Sequence, residues 1–132
     1  MAGFCILHVD DDENIRALTA LAFTLTGDGE VRSAASGVEA LEALGEGLQP
    51  DLILLDVMMP DMDGPAVLAG VRELPAHRDT PIIFMTAQTQ DHEVARLMAL
   101  GAVGVVIKPF DPMTLGQQVR ALLEDHSDDR SA

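Results

Sequence analysis

A chain of 132 residues can bury one core but not two ordinary ones, so a single domain is expected. Lys and Arg number 8 against 22 Asp and Glu, and the resulting charge of −14 repels a nucleic-acid backbone, which argues against direct DNA or RNA binding. No uninterrupted apolar stretch approaches the roughly 20 residues of a membrane helix, and the opening MAGFCILHVDDDEN has no basic segment ahead of its short apolar run. A soluble cytoplasmic protein without membrane insertion is therefore expected.

In chain order, Phe4 to Val9 is an aliphatic run without polar alternation, the pattern of a strand buried on both faces, and it ends in Asp10, Asp11 and Asp12. A helical pattern over Asn14 to Leu25 stops before Gly27, and Glu30 to Ala35 suits an edge strand. After a helix at Val38 to Leu44 comes LILLDVMMPDMDG, in which the strand Leu52 to Leu55 runs straight into Asp56. Asp63-Gly64-Pro65 opens a helix to Leu74 by setting proline in its first turn. The strand Pro81 to Met85 leads to Thr86, a helix follows at His92 to Leu100 before Gly101, and the strand Val103 to Ile107 leads to Lys108. Asp111-Pro112 precedes a last helix, Met113 to Glu124; residues 1–126 form the expected domain and 127–132 a polar, flexible tail.

Five βα units with short connections imply a doubly wound α/β fold, a parallel sheet covered on both faces. Ligands of such sheets meet the carboxyl ends of the strands, near the point where strand order reverses. With strands in the order 2-1-3-4-5, Asp10, Asp11 and Asp56 converge within one or two strand spacings of about 4.8 Å. Two carboxylates about 5 Å apart repel by roughly 3 kcal/mol at an effective dielectric of 20, so the trio calls for a cation, and hard oxygen ligands favour Mg²⁺. Lys108 lies two strands from Asp56, within reach of a long side chain, and Thr86 offers a hydroxyl between them. A metal, an ammonium and a hydroxyl around one carboxylate describe a site that stabilises phosphoryl oxygens while that carboxylate attacks phosphorus.

The set ILHVDDDENIR, LILLDVMMPDMDG, IIFMTAQ and GVVIKPF, in that order between about Phe4 and Glu124, resembles the receiver domain of bacterial two-component response regulators. The resemblance implies a flavodoxin-like (βα)5 fold. It makes Asp56 the phosphoacceptor, Asp11 a direct magnesium ligand, Asp10 a ligand acting mainly through water, and the backbone carbonyl of Met58 the third protein ligand. Asp12 would be peripheral. Lys108 would pair with the phosphoryl group, Thr86 would turn inward to bond it, and the Lys108-Pro109 bond would be cis. The implied donor is a phosphohistidine on a sensor histidine kinase or a histidine phosphotransfer protein, and the output is altered binding of a downstream protein target. Such a domain is a switch with self-catalysed phosphotransfer and autodephosphorylation, not a dedicated enzyme. A stand-alone switch, monomeric or weakly dimerising on phosphorylation, is expected because Met1 opens the chain; a phosphorelay sink or shuttle and the receiver part of a longer DNA-binding regulator are the alternatives.

Several residues depart from that pattern or invite other readings. Receivers often carry Tyr or Phe three residues before the lysine, where this chain has Val105, so output is expected to depend on the loop after Thr86 and the helix beyond it. Met58 and Gln88, at the positions that tune access of water, predict a moderately long-lived phosphoryl group. Met58, Met59 and Met62 lack a nearby histidine and read as adaptable packing, not a soft-metal site. Cys5 reads as a small buried hydrophobe, His8 as a hydrogen-bonded core or partly exposed edge residue, and His77, His92 and His126 as solvent-facing. A haloacid-dehalogenase-like hydrolase would want an acid where Met58 stands. A flavin module would want a phosphate-cradling loop where the acids of DDDEN stand.

Overall fold

The computed structural model describes residues 3–131, with side chains to residue 126. Five strands, β1 (Cys5–Val9), β2 (Glu30–Ala34), β3 (Leu52–Asp56), β4 (Ile82–Thr86) and β5 (Gly104–Ile107), form one parallel sheet in the order β2-β1-β3-β4-β5. They alternate with α1 (Glu13–Thr26), α2 (Gly37–Gly45), α3 (Gly64–Glu73), α4 (Asp91–Ala99) and α5 (Leu115–Ser131). This is the doubly wound fold expected from the sequence.

The strand period of two explains the layering. Leu7 and Val9 of β1, Ile53 and Leu55 of β3, and Ile82 and Phe84 of β4 pack with Ala40 and Leu44 of α2, Val67, Leu68 and Val71 of α3, and Leu97 of α4. The intervening residues, Ile6, Leu52, Leu54, Ile83 and Met85, pack on the other face with Ala22 and Phe23 of α1 and Leu115 and Val119 of α5. Central strands buried from both sides have no polar face to show, which is why the runs read as continuous apolar segments. At roughly 1.5–3 kcal/mol for each fully buried large aliphatic side chain, these two layers fix the register of the sheet and the edge at which the charged residues emerge.

Helix ends follow local chemistry. The Asp12 carboxylate accepts from the N–H groups of Asn14 (2.8 Å) and Ile15 (3.3 Å) and caps α1, while Gly27, at φ 71°, closes it in the left-handed region. Ser36 caps α2 through Glu39 N (3.1 Å) and Asp63 caps α3 through Ala66 N (2.9 Å). No side chain caps α4, whose N-cap residue is Gln90, and Leu97 is its one buried residue.

Four sequence expectations change. Residues Asp111 to Thr114 form a turn in which Asp111 accepts from Met113 N, so α5 begins at Leu115, and its backbone continues to Ser131 through the segment expected as a tail; the side chains there and all of Ala132 lie outside the described residues. His77 is buried in the 3₁₀ turn Pro75–His77, its Nδ1 3.1 Å from Thr80 Oγ1, while Arg72 Nη1 donates to the carbonyls of His77 and Thr80. The hydroxyl partner gives the buried ring a hydrogen bond in place of water. His126 is half-buried, and His92 is exposed as expected. Cys5 is half-buried because it opens β1 at the sheet margin, where its N–H donates to Asp51 Oδ2 (2.7 Å) and burial raises its thiol pKa.

Candidate functional site

The carboxyl ends of β1, β3, β4 and β5 bring together the residues singled out in the sequence. Asp10 follows β1 and is fully buried, Asp56 and Thr86 are the buried last residues of β3 and β4, and Lys108 follows β5. Asp11 is exposed beside them. Carboxylate oxygens of Asp10, Asp11 and Asp56 lie within 4.8 Å of one another. The cleft they line, about 260 Å³, also takes in Met58, Thr86, Gln88 and Lys108. A larger cleft of about 620 Å³ opens next to it toward α4 and shares Met58 and Gln88.

Lys108 is the hinge of the electrostatics. Its Nζ donates to Asp10 Oδ2 at 2.8 Å and to Asp56 Oδ1 at 3.0 Å, spanning β4 to do so. Burial works to lower the lysine pKa, but the hydrogen bonds and charges of Asp10 and Asp56 prevail and raise it. Burial raises the Asp56 pKa; the Lys108 hydrogen bond pulls the other way, and the charges of Asp10 and Asp11 add to the rise. Both partners of one ion pair thus shift upward, because one ammonium serves several acids and Asp56 receives only part of it. Asp10 is held further by Asp12 N–H, which donates to its Oδ1 (2.9 Å), and by Arg16 Nη1, which donates to its carbonyl (2.9 Å).

Thr86 Oγ1 accepts from Gln88 N (3.0 Å), which turns the start of the following loop back over the strand end and leaves the hydroxyl proton free to donate elsewhere. Met58 is 70% exposed, so its side chain stands at the mouth of the cleft, and its carbonyl accepts no hydrogen bond from the described residues. Lys108-Pro109 is cis. Gly64 permits the turn between Asp56 and α3: a Cβ there would lie 2.7 Å from Asp56 O, and its N–H donates to Val57 O (2.8 Å).

Three clustered carboxylates against one lysine leave net negative charge on hard oxygen donors, and with the unengaged Met58 carbonyl they suit a small divalent cation. The donor set contains no sulfur or imidazole ligand; the methionine side chains are not part of it. The cleft holds the expected site residues Asp10, Asp11, Asp56, Met58, Thr86 and Lys108 together, with Asp12 on its lining as the cap of α1. His8 departs from the expectation of a hydrogen-bonded core or partly exposed edge residue, because the aliphatic layer around it offers no polar partner. This residue is fully buried on β1, both ring nitrogens lack a hydrogen-bond partner among the described residues, and its Nε2 stands 3.9 Å from Asp10 Oδ2. Burial lowers its pKa to about 4, with the Asp10 carboxylate opposing, so the ring is neutral at pH 7.

The chain is similar to known proteins. A family model described as the response regulator receiver domain matches residues 6–120. The chain is 40% identical over 119 residues to the transcriptional regulatory protein AfsQ1 of Streptomyces coelicolor, covering 89% of this chain and 50% of that protein. It is 38% identical over 125 residues to the DNA-binding response regulator MtrA of Mycobacterium tuberculosis, covering 94% of this chain and 52% of that one. The chain spans about half or less of the length of such curated relatives. Among solved structures, the chemotaxis protein CheY4 of Vibrio cholerae superposes with a TM-score of 0.82 at 35% identity, over 92% of this chain and 99% of that one.

Proposed function

Since the chain belongs to the response regulator receiver domain family, we propose that it is a phosphoryl-accepting switch of a two-component phosphorelay in which Asp56 is the acceptor. The observation that carries this reading is the single ammonium of Lys108 shared between Asp10 and Asp56 at the edge of three converging carboxylates. An acid placed as a nucleophile needs its own charge tempered and a cationic partner ready for the incoming phosphoryl group, and this arrangement supplies both.

In the proposed reaction an Asp56 carboxylate oxygen attacks the phosphorus of a phosphohistidine on a sensor kinase or phosphotransfer protein. The O–P bond forms as the N–P bond breaks, and the electron pair returns to the donor imidazole, which takes up a proton. Asp10, Asp11, Asp56 and the Met58 carbonyl are the groups that would hold Mg²⁺, which when bound supplies positive charge to the phosphoryl oxygens. Lys108 turns its ammonium to one phosphoryl oxygen, and Thr86 donates its hydroxyl proton to another. Met58 and Gln88 flank the approach of hydrolytic water, and the apolar Met58 side chain favours a long-lived adduct.

The domain acts in the cytoplasm as a switch and not as a dedicated enzyme. Phosphorylation adds about −1.5 to −2 charge units and biases the loop after Thr86 together with α4, which changes the binding of a protein target. Because Val105 replaces the aromatic residue of many receivers, that loop carries the change itself. The length of AfsQ1 and MtrA supports a second host for the same switch, the receiver portion of a longer DNA-binding regulator, whereas the end-to-end match to CheY4 supports a free-standing one.

The test is intact-mass spectrometry after incubation with acetyl phosphate, with and without Mg²⁺, on the wild type and Asp56→Asn. One phosphoryl adduct that requires both Mg²⁺ and Asp56 is expected. An adduct that persists in Asp56→Asn overturns the assignment.

A further inference from the structure

His8 is the one fully buried titratable side chain of β1 that the proposed reaction leaves unused. A buried polar group without a hydrogen bond is costly to a fold, and a histidine within an aliphatic run could be replaced by the valine or isoleucine that packs there without that penalty. Side chains two apart on a strand share a face, so the imidazole stands beneath Asp10, and Asp10 Oδ2, 3.9 Å from Nε2, is the polar atom within reach. That distance is about an ångström too long for a hydrogen bond. The same oxygen is taken by Lys108 Nζ at 2.8 Å, while Oδ1 is held by Asp12 N–H. The carboxylate can therefore rock about its Oδ1 anchor toward one donor or the other.

We propose that His8 is a positioning residue for Asp10: its imidazole N–H takes over Oδ2 when Lys108 turns from that oxygen to a phosphoryl group on Asp56. The inference rests on the phosphoacceptor reading above. Phosphorylation adds an acceptor for Lys108 beyond Asp56, and movement of the ammonium toward it leaves a carboxylate with a side chain only 1% exposed short of a partner. A carboxylate oxygen that loses its donor at that depth is disfavoured even with Oδ1 still held, and the unpartnered His8 ring, 3.9 Å away, is a spare donor for it. His8 thereby lowers the cost of releasing Lys108 and stabilises the phosphorylated form in particular.

The experiment uses the full chain, uniformly ¹⁵N-labelled, with Mg²⁺ and beryllium fluoride as the phosphoryl mimic, and reads the His8 ring in long-range ¹H–¹⁵N spectra. The expected result is a ring carrying its proton at Nε2 whose Nε2–H resonances move downfield on beryllofluoride binding. His8→Phe is expected to bind beryllofluoride about tenfold more weakly, the loss of one hydrogen bond to a charged group, and His8→Gln, which keeps an N–H donor, is expected to recover part of it. A ring protonated at Nδ1, resonances unmoved by beryllofluoride, or equal affinity in His8→Phe overturns the proposal. If neither variant folds, the wild-type ring spectrum alone decides. Wild-type backbone amides that do not respond to beryllofluoride at all would instead sink the phosphoacceptor reading, so the two failures are distinct.

Discussion

Lys108 Nζ stands 3.0 Å from Asp56 Oδ1 with the whole of β4 between their strands, so the tip of the sheet is closed by a side chain and not by backbone. Replacing Lys108 by Met removes the charge that offsets three carboxylates while keeping most of the packing. Stability in urea is expected to fall by about 1–3 kcal/mol, less than for a fully sealed pair because the lysine side chain is 18% exposed. Adding Mg²⁺ should restore much of the loss, since it returns positive charge to the same oxygens. Equal unfolding midpoints for the two proteins without Mg²⁺ would show that Lys108 carries no stabilising charge.

The neighbouring acids Asp11 and Asp12 should separate cleanly by substitution. Asp12 caps α1 with two backbone hydrogen bonds, so Asp12→Ala should cost about 1 kcal/mol in denaturant while leaving Mg²⁺-dependent adduct formation near the wild-type level. Asp11 makes none of those bonds and stands exposed in the carboxylate cluster. Asp11→Ala should keep or raise stability by relieving repulsion, and should abolish the Mg²⁺-dependent adduct. Loss of the adduct in Asp12→Ala but not in Asp11→Ala would reverse the two roles.

Acid should act on the fold through two groups of opposite sign. The native His8 pKa lies near 4 against an ordinary 6.5, so the unfolded chain binds a proton that the native state refuses, and stability is lost as pH falls from 6.5 to 4, by up to about 3 kcal/mol. Asp56 has a raised native pKa, so the native state takes its proton first, and stability is gained as pH falls from the native value toward the ordinary one. His8→Phe should therefore lose less stability than the wild type across pH 6.5 to 4. Asp56→Asn should be the more stable protein at pH 7, with an advantage that shrinks in acid. Thermal melts at several pH values would check both, and parallel pH profiles for all three proteins would remove the argument.

Gly64 is where backbone comes closest to backbone beneath the site. An added Cβ would sit 2.7 Å from Asp56 O and 3.0 Å from Val57 Cα, neither of which can swing aside as a side-chain tip could. Gly64→Ala should cost about 2–3 kcal/mol and displace the acceptor strand end, read as a lower denaturation midpoint together with slower adduct formation. A midpoint within experimental error of the wild type would mean the turn has slack.

The βα rhythm and the strand ends were legible because central strands buried on both faces leave unbroken apolar runs, so the first polar residue after each run marks the sheet edge. Asp56, Thr86 and Lys108 could be found that way, and the acids after β1 by their clustering. What was not legible depended on tertiary packing or on short structure without a period. His77 lies in a single 3₁₀ turn where no spacing signals burial, and its partner Thr80 is only three residues away. The extension of α5 follows from the low cost of propagating a helix once its first turns are docked, which polar composition hides. For His8 the strand was plain, but the absence of a partner depends on which helix covers it and how near Asp10 falls.

Helix α4 borders the acidic site through the loop after Thr86, yet it has one buried residue, Leu97, and no side-chain cap. Such an element can open separately at a fraction of the global unfolding free energy, so its amides should exchange with deuterium ahead of those in β1, β3 and α3. If α4 is the element that answers phosphorylation, as proposed above, a helix this lightly anchored would need little work from the incoming signal. The phosphoryl group would then have only to reweight a local opening, with the doubly covered sheet beneath left as it is.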